Sequence, residues 1–243
     1  MLPALLSSTV KILQNLCLCS RGLFDMRAVV VGSGDPVDPE LLKERCKDAD
    51  IIVAADGGGL YLYEAGITPD ILVGDFDSIP PKVLDYIRTQ KNVTLKTFPA
   101  EKDFTDMELA LDAAVDRGAD EICILSATGS RLDHSAGNIL LLFSLLERNI
   151  KGWVEDANNI VCITQGRMEL KRLDNWKVSL ISISPEVKGL TTEGLLYPLK
   201  NYTLKLGSSL GISNEFASDT AAVSFEKGLL MVVLTRDDSD LPG

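Results

Sequence analysis

The chain has 243 residues, 46% of them hydrophobic and 24% charged, with a net charge of −11, long enough to bury a full core in one large domain or two smaller ones. The negative balance argues against general nucleic-acid binding, which needs a basic stripe to neutralise phosphates, and leaves any anionic substrate to a few local donors. Five cysteines and one histidine, with no second pair beside the Cys17 and Cys19 CxC, argue against a zinc site and fit a reducing, cytoplasmic setting.

Residues 1–25 read as a leader outside the fold. Their apolar stretches are interrupted by Lys11, they lack an early basic region and a small-residue cleavage site, and they are too short for a membrane span. From Met26 onward strand and helix patterns alternate. Strands are expected at Ala28–Gly32, Ile51–Ala55, Ile71–Gly74, Val93–Phe98 and Glu121–Ser126. Helices are expected at Pro39–Lys47, Gly59–Ala65, Pro81–Gln90, Thr105–Arg117 and Ser135–Arg148. Short continuous apolar strands such as IIVAA and ICILS are those of a sheet buried on both faces. Alternating βα units of this length predict an α/β domain over 26–165, a parallel, Rossmann-like sheet with helices on both sides. After about Gly166 helical periodicity disappears. Short alternating or β-branched runs (RMELKRL, KVSLISIS, YTLKLGSS, AAVSFEKG, LLMVVLT) predict an all-β sandwich over 166–243, with VEDANNIVC as the bridge.

Ligands of such parallel sheets bind beyond the carboxyl ends of the strands, and four chemistry-bearing segments fall there. AADGG places Asp56 and Gly57 after a strand, either as a glycine-rich turn capping the next helix or as a close backbone approach to a ligand. GSG after the first strand offers further amides. GDFDS sets Asp75 and Asp77 around Phe76. In an extended segment the two acids share one side, well placed to hold one cation, while the alternative is an Asx-type turn capping a following helix. KDFTD opens a helix with Asp103 as the expected N-cap and Asp106 three residues on, beside Lys102. Two such carboxylates about 4 Å apart repel by ~4 kcal/mol at an effective dielectric near 20, so gathering them calls for protons or a hard cation, and an all-oxygen set favours Mg²⁺.

TGSRLDH joins a buried strand to a helix without the GK[ST] of a Walker loop. Its amides, Gly129 and the guanidinium of Arg131 make an anion site, with Asp133 orienting Arg131 or contacting nucleotide. His134 reads equally well as a hydrogen-bonded structural residue.

Taken in order, ADGG, ITPDILVGDFDSI, KDFTDMELAL and TGSRLDH closely resemble the thiamine pyrophosphokinase family. The resemblance runs from about Met26 to the C-terminus and is strongest over 54–138. It implies transfer of the diphosphate of ATP to the hydroxyl of thiamine with release of AMP, with Mg²⁺ as cofactor. It also implies a homodimer with active sites at the subunit interface, and no membrane or nucleic-acid partner. Carried over by position, it implies Asp75, Asp77 and Asp106 as magnesium ligands with Asp56 and Asp103 close by. Gly57, Lys102, Gly129, Arg131 and Asp133 would stand around ATP, and Tyr197, Ser213 and Asn214 would form the thiamine pocket. Asp103 and Asp77 are both open as acceptors of the hydroxyl proton. A heterocyclic alcohol other than thiamine, such as a hydroxymethylpterin, or a silent nucleotide- or thiamine-binding regulator are the competing readings.

Overall fold

The computed structural model describes residues 26–99, 101 and 103–236. The leader 1–25 and Lys102 lie outside the described residues. The described chain divides into two compact units, 26–157 and 158–236.

The first unit alternates strands and helices as expected: β1 (Arg27–Val31), α1 (Pro39–Lys47), β2 (Ile51–Ala55), α2 (Gly58–Glu64), β3 (Ile71–Gly74), α3 (Pro81–Thr89), β4 (Thr94–Thr97), α4 (Asp106–Asp116), β5 (Glu121–Leu125), α5 (Leu132–Glu147) and β6 (Lys151–Glu155). All its strand pairs are parallel, in the order β6-β5-β1-β2-β3-β4. Both sheet faces are covered. Val29 and Val31 of β1 belong to a core shared with Leu42 of α1, Leu62 of α2 and Ile87 of α3. Their neighbours Ala28 and Val30 are equally buried, and side chains alternate across a strand, so they face the other way, where α4 packs on β1, β2 and β3. This explains why β1 to β3 read as continuous apolar runs, whereas the edge strand β4 (TLKT) is largely exposed.

A polar cluster is buried against this core. Arg45 of α1 donates from Nε to Glu155 Oε2 at 2.8 Å and from Nη2 to Oε1. Trp153 Nε1 donates to the same Oε2 at 3.1 Å, and Cys123 Sγ lies 3.7 Å from it. Burial works against the Arg45 charge, but hydrogen bonding and attraction to Glu155 outweigh it and hold its pKa above the ordinary arginine range. Cys46, buried beside Leu41 and Leu42, has its thiol pushed up to about 12 by burial.

The second unit holds β7 (Asn159–Thr164), β8 (Met168–Lys171), β9 (Lys177–Ser182), β10 (Glu186–Glu193), β11 (Tyr202–Lys205), β12 (Asn214–Glu215), β13 (Thr220–Ser224) and β14 (Leu230–Thr235). They pair antiparallel in two sets, β12-β9-β14-β7 and β11-β10-β13-β8. Alternating burial along β14 (Leu230, Val232 and Leu234 inside) is the pattern of a sheet with one packed face. The unit begins earlier than the 166 expected from periodicity, because Asn159–Thr164 pairs along its whole length with β14. A strand's partner is a long-range property that its own composition does not carry.

Candidate active site

Strand order reverses between β1 and β5, since the chain runs from β1 outward to β4 and then returns to the other side. At such a switch point adjacent loops diverge and open a crevice. Here it is a cleft of about 610 Å³ at the carboxyl ends of the strands. The loops after β1 and β5 are zipped together at its floor. Gly32 N donates to Leu125 O at 2.9 Å, Gly34 N to Ser126 O at 2.8 Å and Asp35 N to Thr128 O at 2.7 Å. A Cβ on Gly34 would stand 2.2 Å from Thr128 O, so only glycine permits this approach. The Gly32 and Gly34 amides of the GSG segment are thus committed to protein acceptors, and Ser33 between them lines the cleft.

Three strand ends in this region carry non-glycine residues at positive φ: Asp56 (45°) after β2, Phe76 (68°) after β3 and Ser126 (51°) after β5. Each such residue costs ~1–3 kcal/mol and persists only where its surroundings over-determine it. The turn at Phe76 buries its ring and sends the two flanking acids toward Asp56. The segment is therefore not extended as expected, yet the acids still converge. One carboxylate oxygen from each of Asp56, Asp75 and Asp77 lies within 4.8 Å of the other two. Asp106 completes the group: a Cβ on Gly74, whose φ is 144°, would stand 3.3 Å from Asp106 Oδ1 and 3.2 Å from Asp56 Cβ.

None of these acids caps a helix through its side chain. Gly57 is the N-cap of α2, with no side-chain cap; Pro80 serves α3 likewise; and Thr105, not Asp103, caps α4 by accepting from Glu108 N at 3.2 Å. Asp75 does accept from Asp77 N at 3.2 Å, and Asp77 from the Ser78 hydroxyl at 3.1 Å, so an Asx-type turn coexists with the cluster. Asp56 is 8% exposed, and its Oδ1 is buried without a hydrogen-bond partner. Burial raises its pKa, against hydrogen bonding from Ser78; Asp106 adds to the rise, the Gly57 backbone opposes it, and Asp75 adds further. A buried, orphaned oxygen in an all-carboxylate set fits a hard divalent cation such as Mg²⁺.

Arg131 lines the cleft beside them. It occupies the N-cap position of α5, which starts three residues before the expected Ser135. Its guanidinium grips Asp133 in a two-point pair, Nε to Oδ1 at 3.3 Å and Nη2 to Oδ2 at 2.8 Å. Hydrogen bonding to Arg131 is the main cause that holds the Asp133 carboxyl down to about 2, followed by the His134 backbone. Gly129 also lines the cleft, but its amide donates to Ser135 Oγ at 3.0 Å.

Of the other expected residues, Asp56, Asp75 and Asp106 line the cleft. Gly57 is buried between Ser33 and Ser78, and Asp77 joins through the acid cluster. Asp103 is exposed in the segment leading to α4, and Asp133 reaches the site through Arg131. His134 is exposed at the cleft wall. Sequence reasoning overlooked Tyr61, whose hydroxyl donates to Gly34 O at 2.7 Å, and Asn138, whose Nδ2 donates to Ala127 O at 2.7 Å. The only available signal was the spacing of Ser135 and Asn138, which share a helix face at i and i+3 directly after the TGSR loop.

In the second unit Tyr197, Ser213 and Asn214 are neighbours. Asn214 Oδ1 accepts from Tyr197 N at 3.0 Å while its Nδ2 donates to Tyr197 O at 2.8 Å. Asn214 is thus spent on backbone and presents Tyr197, which is 66% exposed. Ser213 has a φ of 59° and is tied through its amide to Ser179 Oγ.

An acid-lined cleft at the switch point of a parallel sheet, in a chain that continues into an antiparallel β unit, defines a two-unit α/β protein with a candidate cation site beside an arginine. Residues 42–154 match the family model described as "Thiamin pyrophosphokinase, catalytic domain", and residues 168–230 match "Thiamin pyrophosphokinase, vitamin B1 binding domain". The thiamine pyrophosphokinase of Bacillus subtilis is 38% identical over 188 residues, 76% of this chain and 87% of the relative. A crystal structure of the Bacillus subtilis enzyme superposes with a TM-score of 0.80 at 31% identity, covering 87% of this chain and 99% of that one. The Geobacillus thermodenitrificans structure gives 0.77 at 34% identity, covering 89% and 100%. The chain belongs to the thiamine pyrophosphokinase family.

Proposed function

We propose that the protein transfers the diphosphate of ATP to the hydroxyl of thiamine, giving thiamine diphosphate and AMP. The observation that carries this reading is the convergence of Asp56, Asp75 and Asp77, with Asp56 holding one buried oxygen unbonded, at a cleft that Asp56, Asp75 and Arg131 line together in a chain belonging to this family. Asp56, Asp75 and Asp77, with Asp106 adjoining, would hold Mg²⁺, which when bound neutralises charge on the phosphate oxygens.

Arg131, preset by Asp133, grips phosphate through its fork of donors. The thiamine oxygen attacks the β-phosphorus in line and forms the new P–O bond as the bond to the bridging α,β-oxygen breaks. The electron pair leaves with AMP, and the hydroxyl proton passes to a carboxylate, with exposed Asp77 and Asp103 the candidates. Positioning and fixed charge supply most of the acceleration in such reactions. Tyr197, presented by Asn214 and beside Ser213, would contact thiamine. Pairing as a homodimer with active sites at the subunit interface belongs to the same proposal, as does a reducing cytoplasmic location, to which the buried thiols of Cys46 and Cys123 are suited. Among the described residues no helix is long and apolar enough to cross a membrane.

The test is AMP release with ATP, Mg²⁺ and thiamine, with thiamine omitted as control and a hydroxymethylpterin as alternative acceptor. AMP that depends on thiamine supports the reading, whereas AMP formed only with the pterin, or not at all, overturns it. Asp75→Asn is expected to abolish turnover with the fold intact, and near-normal AMP release at saturating Mg²⁺ would remove Asp75 from the ligand set.

A further inference from the structure

Besides the bond from Asp35 N to Thr128 O, three side chains hold the loop 127–131. Asn138 Nδ2 donates to Ala127 O at 2.7 Å, and Thr128 Oγ1 donates to Asp156 at 3.3 Å. The third hold is Ser135. Its Oγ lies 3.0 Å from Gly129 N, 3.2 Å from Gly129 O and 3.0 Å from Arg131 O, and the residue is 8% exposed. A hydroxyl carries one proton and two lone pairs. It accepts from the Gly129 amide and shares its proton between the two carbonyls, which ties both ends of the Gly129–Arg131 turn to one atom.

Serine bonded back to the carbonyl four residues earlier is ordinary in a helix. The bond to an amide outside the helix is not part of that habit. It stops the Gly129 N–H from pointing into the cleft and fixes the backbone from which Arg131 projects. The Arg131 side chain itself is exposed and, among the described residues, pairs with Asp133 two residues on. Its placement over a phosphate therefore depends on this turn and not on packing around the guanidinium.

We propose that Ser135 is a positioning residue for the transfer reaction: the hydrogen bonds from its single hydroxyl to Gly129 and Arg131 set where Arg131 meets the nucleotide phosphates. The inference rests on the function proposed above. Ser135→Ala leaves the Gly129 amide unbonded in a partly buried place and frees the turn. Loss of such a supporting partner reduces activity by ~10-fold or more. The expected loss falls on kcat/KM for ATP, with KM for thiamine unchanged.

The decisive experiment is a double-mutant cycle of Ser135→Ala with Arg131→Ala, read by AMP release and, independently, by calorimetric titration with Mg–ATP. The ~10-fold loss caused by Ser135→Ala is expected to shrink to within about twofold when Arg131 is already alanine, because the two act as one unit. Equal losses in both backgrounds, or no loss in the parent, would overturn the proposal. If Ser135→Ala fails to fold, Ser135→Cys keeps the volume while weakening the hydrogen bond and enters the same cycle. Ser135→Thr, which retains the hydroxyl, is expected to restore Mg–ATP affinity in either case. A parent protein that binds Mg–ATP but releases no AMP refutes the function alone, since the binding cycle still decides the role of Ser135; a parent that does not bind Mg–ATP overturns both.

Discussion

Two acids at strand ends of the same sheet, Glu155 at the end of β6 and Asp56 just beyond β2, are both buried, at 2% and 8% exposed, and have opposite surroundings. Every polar contact around Glu155 is satisfied: Arg45 grips both oxygens, and Trp153 and Cys123 converge on one of them. Asp56 keeps an oxygen with no partner, stands at positive φ, and is crowded by Asp106 and Asp75. A buried charge that is fully paired belongs to the architecture. A buried carboxylate that keeps one oxygen unbonded among like charges is stable only if something else completes it. The contrast separates structure from chemistry more sharply than burial or residue type does.

The comparison can be broken most forcefully at Asp56. Asparagine keeps its shape and tolerates a left-handed φ, so Asp56→Asn is expected to lower turnover by ~10³-fold, with melting temperature unchanged or raised because like-charge repulsion is relieved. Mg²⁺ at about a hundredfold excess over its Kd is expected to raise the melting temperature of the parent by roughly 5 °C and to leave Asp56→Asn unmoved. A variant that still gains stability from Mg²⁺ would remove Asp56 from the ligand set.

Glu155→Gln should do the reverse. It strands the Arg45 guanidinium in the core, at a cost of ~3–5 kcal/mol measurable by urea unfolding, while kcat of the folded fraction stays at the parental level. A loss of kcat without loss of stability would place Glu155 in the chemistry and collapse the distinction.

The smallest effect lies at the exposed Arg131 and Asp133 pair. Asp133 is held down to about 2 by Arg131, and a depressed carboxylate stays charged above its lowered pKa. The contribution of the pair is therefore fully present above the ordinary value of 3.8 and is lost progressively as pH falls from there through about 2. Carboxyl NMR of Asp133 should show a midpoint near 2 in the parent and one raised toward the ordinary 3.8 in Arg131→Ala, where the His134 backbone still holds it somewhat down. An unchanged midpoint would mean that the pair does not form in solution.

Much of this protein could be read without coordinates. Apolar runs such as IIVAA and ILVG, punctuated by glycine and aspartate, determine parallel buried strands, because local hydrophobic period and turn chemistry are written in neighbouring residues. Strand ends alone were enough to bring Asp56, Asp75 and Gly129 to one edge, and motif order named the family. Three things lay beyond that reading. The Asn159–Thr164 strand belongs to the second unit because of β14, about seventy positions away. Thr105 rather than Asp103 caps α4, since both have capping chemistry and only the backbone path selects between them. Ser135, Asn138 and Tyr61 serve the site through backbone carbonyls and amides of other segments, contacts that leave no mark in a side-chain motif. The clustered aspartates were legible from the chain as a local excess of negative charge. That Asp56 is the one buried with an oxygen unbonded was decided by tertiary structure alone, because desolvation and missing partners are properties of a packed neighbourhood.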